Sequence, residues 1–313
     1  MRRQEEAREE LIQRVITLVK EKLPTNDVKL ISSFVKQYYL SAAPEDLLER
    51  NVIDLYGALV AHWNFIHQRK PDEAKVRVYN PQYEQHGWQS THTVIEVIAP
   101  SKAFLIESVR MVLNQLGLNV HLILHLNRMK VERNSEGIIT NVLSNGDDAE
   151  NAQSEIPVFI EIDRQSDPKV LDELRTSIER VIEDVNYTVN DWPKMTQKME
   201  SIIQEQIDKL PKSKNKDIEE EVIEFLKWIN KNHFTYLGYC QRMLISSHGE
   251  YHWAFDKNNS LGILRKEGEG YFESFEEMPK AAQESAISSF PLILGKTDRI
   301  STVHRPTYTD FIV

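Results

Sequence analysis

The stretch PSKAFLIESVRMVLNQLGLNVHLILHL, residues 100–126, decides the fold of the middle of the chain. Apolar residues recur at helical spacing in its first half, which predicts an amphipathic helix with one buried stripe. The stripe consists of Leu105, Val109, Val112, Leu113 and Leu116. Gly117 supplies a left-handed stop, and the alternation that follows it predicts a strand. The stretch therefore predicts a turn, a helix and a strand in succession.

The composition is that of an ordinary acidic soluble protein with about two domains. The chain has 313 residues, of which 41% are hydrophobic and 27% charged, and its formal net charge is −10 at pH 7. No apolar run approaches the roughly 20 residues of a membrane span, and a single cysteine, Cys240, excludes an internal disulfide. We therefore predict a cytoplasmic protein with no membrane partner. The acidic balance would repel a phosphate backbone, so nucleic acid is not a predicted partner.

Glycine is scarce, with 11 residues in the whole chain. A dinucleotide or phosphate site normally requires a glycine-rich turn between a strand and a helix, where the backbone approaches the pyrophosphate. The sequence holds no G-x-G-x-x-G motif and no Walker-type loop. We therefore predict no cofactor site and no catalytic residue within this chain.

The middle of the chain is predicted to be a ferredoxin-like sheet with helices on one face. THTVIEVIA, from Thr91, and IPVFIEID, from Ile156, alternate as strands, and Asp167 and Pro168 begin a long helix. Together with the stretch above, the order is strand, helix, strand, strand, helix, which is βαββα. The fourth strand of the usual arrangement is missing from its expected place.

Changes in periodicity divide the whole α+β chain into predicted regions. The region between the helices and the sheet, residues 70–90, contains prolines and polar residues, and we interpret it as a connection between domains. The predicted regions are a helical domain at 1–75, the α+β domain at 88–200, a helical connector at 201–232 and a second α+β domain at 233–313, which we expect to be truncated.

Several histidines and glutamates are predicted to share the outer face of the sheet. They are His92, His121, His125, Glu96 and Glu161. Residues i and i+4 of a strand stand roughly 13 Å apart, which is too far for two histidines to bind one zinc ion. We therefore interpret the face as a contact between domains and predict no metal site.

The opening stretch resembles the ACT domain, a small regulatory βαββαβ module that typically binds amino acids or related effectors. The first turn of that family tends to read D-x-P-G-L, and its first helix ends in a glycine. The corresponding residues here are Ser101, Lys102, Ala103, Phe104, Leu105 and Gly117. Ser101, Ala103 and Phe104 replace the aspartate, proline and glycine of the motif. The resemblance implies an effector-binding turn formed by residues 101–104 with Gly117, although without its glycine a ligand could not approach the backbone in the usual way.

A second resemblance covers nearly the whole chain. Segments occur in the same order as in the N-terminal region of the large bacterial NAD-dependent glutamate dehydrogenases: FLIESVRMVLNQLGLNVHLILH, IEIDRQSDP, VNDWPKM, NHFTYLGY, SLGILR and ISTVHRPTYTDFIV. In that family the N-terminal part carries helices and successive ACT-like domains, whereas the nucleotide-binding and glutamate-binding domains lie downstream. The resemblance implies a parent enzyme that oxidises L-glutamate to 2-oxoglutarate and ammonia with NAD as its cofactor.

These resemblances lead us to expect a non-catalytic fragment that serves regulation and assembly. Its expected partners are the rest of the same polypeptide, further copies in a homo-oligomer and an amino acid as effector. Two alternatives stay open. A free-standing amino-acid sensor would have a complete second domain, and a pure oligomerisation scaffold would have an ACT-like unit without a ligand.

Overall fold

The computed structural model describes residues 2–144, 146–147, 149–210, 216–248, 250–255, 259–265, 275–287 and 292–313. The chain divides into two compact units. One comprises Met1–Lys102 with Val109–Ile182, and the other comprises Ala103–Ser108 with Glu183–Val313. Helices and strands both occur, so the predicted α+β class is confirmed. Within the described residues, no helix is both long enough and apolar enough to span a membrane.

The first unit begins with helices whose ends follow local sequence signals. They are α1 (Arg2–Lys22), α2 (Thr25–Leu40), α3 (Pro44–Leu48) and α4 (Val52–His67). Pro44 lies in the first turn of α3, where its missing N–H costs no hydrogen bond. Asn51 caps α4, because its side chain accepts a 2.9 Å hydrogen bond from the Ile53 amide. This cap starts a new helix within a segment whose apolar stripe is continuous on both sides.

Six strands of the first unit form one sheet within its described residues. They are β1 (Lys75–Tyr79), β2 (Thr93–Pro100), β3 (Val120–His125), β4 (Met129–Arg133), β5 (Ile139–Val142) and β6 (Gln153–Ile162). The order is β1-β2-β6-β4-β5, and β3 pairs with the second half of β6. All these pairs are antiparallel. The helices of this part of the chain are α5 (Tyr83–His86), α6 (Leu105–Gln115) and α7 (Pro168–Lys209).

Strand β1 occupies the edge position that the predicted sheet lacked. It runs antiparallel to β2, with Val76 opposite Val97 and Val78 opposite Ile95. In a ferredoxin-like sheet the fourth strand lies beside the first in this way, so residues before β2 supply the missing strand. The interpretation of residues 70–90 as a mere connection was therefore wrong. The run KVRVY is short and only half-buried, which makes its alternation a weak signal.

The central strands of the sheet are buried on both faces. All residues of β2 from Thr93 to Ala99 are buried, as are those of β6 from Glu155 to Ile162. Apolar residues of one face form a single cluster with side chains of α1, α2 and α4. The sheet residues of this cluster include Val94, Ile98, Leu122, Leu124 and Phe159. The N-terminal helices therefore cover one face of the sheet.

The predicted outer face is wrong at the end of β3. Leu124 lies opposite Phe159 of β6, so these two residues share the face that the helices cover. His125 lies opposite Val158 and hence on the other face. We predicted His125 on the face of Glu161. The register of β3 is irregular near its start, and such a shift moves side chains to the opposite face.

A buried carboxylate connects α4 to the sheet. Glu155 is fully buried and accepts hydrogen bonds from Arg69 at 2.8 Å and from Arg133, through Nε and Nη2, at 2.7 Å each. Arg133 also donates to the carbonyls of Ile66 and His67 at 3.0 and 2.9 Å. These are among the last carbonyls of α4, which have no partner within the helix. The network therefore satisfies the helix end while it neutralises Glu155.

The second unit contains the remainder of α7 and the elements that follow it. They are α8 (Lys216–Trp228), a π-helical turn (Ile229–His233), β7 (Gly238–Tyr239), β8 (Arg242–Ser247), β9 (Glu250–Phe255), β10 (Leu261–Gly262), a 3-10 turn (Ile263–Arg265), α9 (Lys280–Ile287), β11 (Leu294–Ile300) and β12 (Tyr308–Ile312). In the described part of this unit the strands form antiparallel pairs, namely β7 with β10, β8 with β9 and β11 with β12. The described part of residues 233–313 thus contains both helices and strands.

The contact between α4 and Trp88 predicts the effect of one added methyl group. A Cβ at Gly57 would lie 2.4 Å from the Cβ of Trp88, which is buried. Gly57→Ala should therefore lower the free energy of unfolding by about 1–3 kcal/mol. The helix preference of alanine over glycine, about 1 kcal/mol, offsets only part of this loss. Urea denaturation followed by circular dichroism measures the change.

The matched control is Asn64→Ala, at an exposed position of the same helix. It should leave the free energy of unfolding within about 0.5 kcal/mol of the wild-type value. Equal stability of Gly57→Ala and this control would contradict the close approach of α4 to Trp88.

Candidate functional site

The predicted effector turn follows β2, and its first residues are held by backbone contacts. The Ser101 amide donates to the Ser154 carbonyl at 2.8 Å, and Ser101 Oγ donates to the Asn127 carbonyl at 3.1 Å. Partial burial lowers the pKa of Lys102, while the charge of Asp72 opposes this shift. Ser101 and Lys102 belong to the first unit.

Gly117 ends α6, as predicted. Its φ of +68° is left-handed, and the Leu118 amide donates to the Leu113 carbonyl at 3.0 Å. This bond is typical of a helix that ends in a left-handed residue. No atom lies within 4 Å of a Cβ added at Gly117, so the backbone conformation rather than space requires glycine. Its observed role is to terminate the helix.

Phe104 stands where the ACT motif has glycine and has a left-handed φ of +68°. It belongs to the second unit, as does exposed Ala103 before it. The Phe104 ring lies 4.5 Å from the ring of His304, which is also left-handed, with a φ of +73°. This conformation costs a bulky residue roughly 1–2 kcal/mol, so the surrounding contacts of the second unit must hold both residues in it. Binding of an effector at this turn stays a prediction.

The segment STVHRP, residues 301–306, is a loop that its own side chains fix. Ser301 Oγ donates to the Val303 carbonyl at 2.7 Å, and Val303 is buried. Thr302 Oγ1 donates to Asp184 at 2.8 Å, and the His304 amide donates to Ser108 Oγ at 3.2 Å. All these contacts lie within the second unit. The loop therefore contacts both the start of α6 and the middle of α7.

Other segments that carried the family resemblance also meet one another in the second unit. Asp191 of VNDWPKM accepts hydrogen bonds from the amide of Gly262 at 2.8 Å and from Arg265 Nη2 at 2.7 Å, both of SLGILR. Arg265 Nε donates to the same carboxylate. Gly262 has a φ of +61°, and a Cβ there would lie 2.1 Å from the carbonyl oxygen of Leu237 in NHFTYLGY. The motifs thus form hydrogen bonds and close backbone contacts between segments that are distant in sequence.

The first unit contains a cleft of about 1200 Å³ between the N-terminal helices and the sheet. Its wall comes from α2, α3 and α4, from the segment that contains α5, and from β3 and β6. Acidic side chains outnumber guanidinium groups along it. The acidic residues are Glu45, Asp46, Glu49, Asp54, Glu84 and Glu161, and the arginines are Arg50 and Arg164.

The most buried charged group of the cleft is Glu161. Its side chain is 3% exposed and that of Arg50 is 27% exposed, and Arg50 Nη2 lies 2.7 Å from Glu161 Oε2. The two groups form an ion pair, but no described residue donates a well-aligned hydrogen bond to that oxygen. His92 Nδ1 lies 3.7 Å from it. The carboxylate of Glu161 and the guanidinium of Arg50 thus lie side by side in the wall of an open cleft.

Two histidine rings in the lining of this cleft pack against each other at a tilted angle. The rings of His92 and His121 lie 4.3 Å apart, and His121 Nε2 lies 2.6 Å from Asp163 Oδ1. Hydrogen bonds from His121 and Asn119 lower the pKa of Asp163. In the part of the chain that the structure describes, no group of three or more His, Cys, Asp or Glu side chains could hold a metal ion.

Sequence reasoning did not find the cleft. It placed His92, His121 and Glu161 on one face, and His92 does lie beside each of the other two. It did not bring Arg50 to them, because α3 and β6 are more than a hundred residues apart in sequence and their contact depends on how the helices cover the sheet. The acidic run PEDLLER gave a signal, but such a run is usually a solvated helix face.

Two titratable groups lie in the core that the helices and the sheet share. Burial raises the pKa of Glu96 from 4.5 to about 7, although the neighbouring Arg77 opposes the shift. Burial lowers the pKa of His62 from 6.5 to about 3, and Arg77 adds to the shift. His62 Nδ1 lies 2.7 Å from the hydroxyl of Tyr38, which is fully buried and lines the cleft. These shifts have opposite consequences for stability as the pH changes.

The fold and the comparisons together define the class of the first unit. Residues 34–178 match the model of the ACT1 domain of glutamate dehydrogenase, and this span contains every residue that lines the cleft. Within this span the chain is therefore similar to an ACT domain of the glutamate dehydrogenase type.

Curated relatives extend the similarity along nearly the whole chain. The NAD-specific glutamate dehydrogenase of Halomonas elongata is 33% identical over 311 residues, which are 99% of this chain and 19% of that protein. That of Pseudomonas aeruginosa is 32% identical over 285 residues, or 90% of this chain and 17% of that protein. No solved structure matches the chain significantly. The chain spans about a fifth of the length of these relatives, and the predicted resemblance to NAD-dependent glutamate dehydrogenases is confirmed.

The contacts of Asp191 with Gly262 and Arg265 predict that an isosteric substitution of Asp191 lowers the free energy of unfolding substantially. Asp191→Asn keeps the shape but removes the charge that Arg265 pairs with, and the side chain of Asp191 is 5% exposed. Since hydrogen bonds to charged groups contribute about 1.5–3 kcal/mol, we expect a loss of that size in the free energy of unfolding at pH 7. Chemical denaturation measures it.

Asp310→Asn is the control, because Asp310 pairs with Lys296 in a largely exposed ion pair at 2.7 Å. Its cost should stay below about 1 kcal/mol. If Asp191→Asn is no more destabilising than Asp310→Asn, the contacts of Asp191 with Gly262 and Arg265 do not stabilise the second unit.

The pKa of Glu96 predicts a pH-dependent effect of Glu96→Gln. Between about pH 4.5 and 7 the folded chain binds a proton at Glu96 that the unfolded chain lacks, so this group's contribution to stability falls as the pH rises. The glutamine variant lacks this pH-dependent contribution to stability. From pH 4.5 to 7.5 its free energy of unfolding should therefore improve relative to wild type by roughly 1–3 kcal/mol. Denaturant titrations at several pH values measure the difference.

His62 acts in the opposite direction. Between about pH 3 and 6.5 the unfolded chain binds a proton that folded His62 lacks, so its contribution to stability falls as the pH decreases. The comparison with wild type cancels this term because both proteins contain His62. A constant difference between Glu96→Gln and wild type across the range would show that the pKa of Glu96 is not raised.

Proposed function

We propose that the chain is the N-terminal regulatory and assembly region of an NAD-dependent glutamate dehydrogenase. The observation that supports this proposal is that 99% of the chain aligns with about a fifth of an enzyme named NAD-specific glutamate dehydrogenase. The parent enzyme would oxidise L-glutamate to 2-oxoglutarate and ammonia and pass hydride to NAD. Because the chain has no glycine-rich nucleotide loop, this chemistry would belong to the rest of the parent polypeptide.

Regulation by such a region would act through differences in affinity. An effector or a neighbouring subunit that binds one arrangement of the parent better than another shifts the population towards that arrangement. The distant active site then changes by the same coupling free energy. The expected effector is an amino acid, since the match is to an ACT domain and that resemblance implies amino-acid binding.

We expect the second unit to serve in assembly, and contacts within the chain hold its motif segments together. Phe104 of the motif turn packs on His304 of the same chain, and Asp191 joins two further motif segments. A turn that contacts its own chain in this way holds distant segments of that chain together. Its expected partners are the rest of the polypeptide and further copies in a homo-oligomer.

The proposal predicts different behaviour for the chain and its parent. The isolated 313-residue chain should form no NADH from L-glutamate and NAD, whereas the intact parent should. A parent that lacks these residues should dissociate into smaller species or lose its response to amino acids. Absorbance at 340 nm measures the reaction, and analytical ultracentrifugation measures the mass.

A variant of the intact parent guards against misfolding of the truncated one. His304→Ala removes the ring that packs on Phe104 and should change the mass or the response to amino acids in the same direction. Turnover of glutamate by the isolated chain would contradict the proposal. So would a truncated parent and a His304→Ala parent that both keep the mass and the effector response of the intact enzyme.

A further inference from the structure

The ion pair in the cleft of the first unit differs from the other buried ion pairs of the sheet. Glu155 is fully buried and receives three hydrogen bonds from Arg69 and Arg133. Glu161 is nearly as buried, but its Oε2 receives no well-aligned hydrogen bond from any described residue. A carboxylate can accept about four hydrogen bonds, and leaving a buried one under-supplied is costly. The buried Oε2 of Glu161 therefore has acceptor capacity that no described residue fills with a well-aligned hydrogen bond.

Arg50 offers the complementary charge. Its Nε donates to the carbonyl of Asp46 at 3.0 Å, which fixes the guanidinium at the end of α3. Within the described residues this is the one hydrogen bond of the guanidinium group, although Nη2 lies 2.7 Å from Glu161. A guanidinium has five N–H donors in a planar fork that matches a carboxylate. Arg50 can therefore bind an anion while it keeps its contact with Glu161.

We propose that this cleft binds a free α-amino acid whose side chain is not acidic, with its ammonium group on Glu161 and its carboxylate on Arg50. The inference rests on the proposed regulatory function and names a site for the effector. The site is separate from the motif turn at 101–104, since none of the turn residues lines the cleft.

The pairing of opposite charges favours a zwitterion over a simple ion. A lone ammonium on Glu161 would lie close to the Arg50 guanidinium, and a lone carboxylate on Arg50 would lie close to Glu161, so each would meet a like charge. An α-amino acid carries both groups on one carbon and can satisfy both partners. Burial from water strengthens these interactions.

The charge of the remaining wall selects the side chain. Acidic residues predominate along the cleft, and Glu45, Glu49 and Asp54 lie on the helical side. Their summed potential attracts a cationic side chain and repels an acidic one. The cleft volume of about 1200 Å³ leaves room for a side chain as long as that of lysine. L-Lysine is therefore a suitable probe, and L-glutamate is its charge-reversed counterpart.

The first test compares L-lysine with analogues that each lack one of its charged groups. Calorimetric titration of the 313-residue chain compares L-lysine with cadaverine, which lacks the carboxylate, and 6-aminohexanoate, which lacks the α-amino group. Saturable binding of L-lysine is expected, with each partial ligand and L-glutamate at least tenfold weaker. The proposal is overturned if L-lysine gives no saturable heat, or if cadaverine binds as tightly as L-lysine.

The second test locates the site. Glu161→Gln and Arg50→Gln should each weaken L-lysine binding at least tenfold, whereas Glu136→Gln should change it less than twofold. Glu136 is exposed in the same unit and does not line the cleft, so this variant matches the change in charge. Lys102→Ala in the motif turn should also leave the affinity unchanged. Loss of binding in Lys102→Ala with retention in Glu161→Gln would move the site to the turn and overturn the proposal.

Two features keep the outcomes distinct. Thermal unfolding of each variant without ligand separates a lost site from a lost fold, and the ligand series on the wild-type chain needs no variant. The binding measurements also do not depend on catalysis. A chain that binds no amino acid could still belong to a regulated parent, and a chain that binds L-lysine could belong to a parent whose activity does not respond to it.

Discussion

The structure of the first unit depends on the burial of its central strands on both faces. A sheet whose strands β2 and β6 are buried and largely apolar on both sides is stable only when each face is covered, because exposed apolar area is unfavourable in water. The helices α2 and α4 cover one face, and α1 joins the same core through its contacts with the other helices. For this reason the helices and the sheet form one compact unit, and the family match begins within α2.

This coverage also explains the charges in the interior. Glu96, Glu155 and Glu161 are buried residues of the sheet, and each lies beside an arginine from outside its own strand. A buried ion pair adds little net stability, but its loss on one side is costly, so such pairs penalise any other arrangement of helices and strands. Glu155 is satisfied by hydrogen bonds, whereas Glu161 borders an open cleft. The same covering geometry thus produces a structural pair at one place and a candidate binding site at another.

In the second unit, the segments that identify the family are the ones that hold distant parts of the chain together. Asp191 binds Gly262 and Arg265, and the loop that contains Thr302 and His304 binds α7 and the start of α6. Short motifs of this kind contain special backbone conformations and buried polar contacts, which few other residues can replace. These motifs therefore describe the architecture of the unit and carry no assignment of catalytic residues.

The sequence by itself determined the α+β class, the helix that ends at Gly117, the alternation of β6 and the start of α7, because these features depend on local periodicity and capping. It also indicated the family through the order of its motifs. Only the tertiary structure placed β1 at the edge of the sheet, put His125 on the opposite face and brought Arg50 to Glu161. Strand pairing, a shift of register and the contact of a helix with a sheet join residues that are distant in sequence, and no local pattern specifies which partners meet.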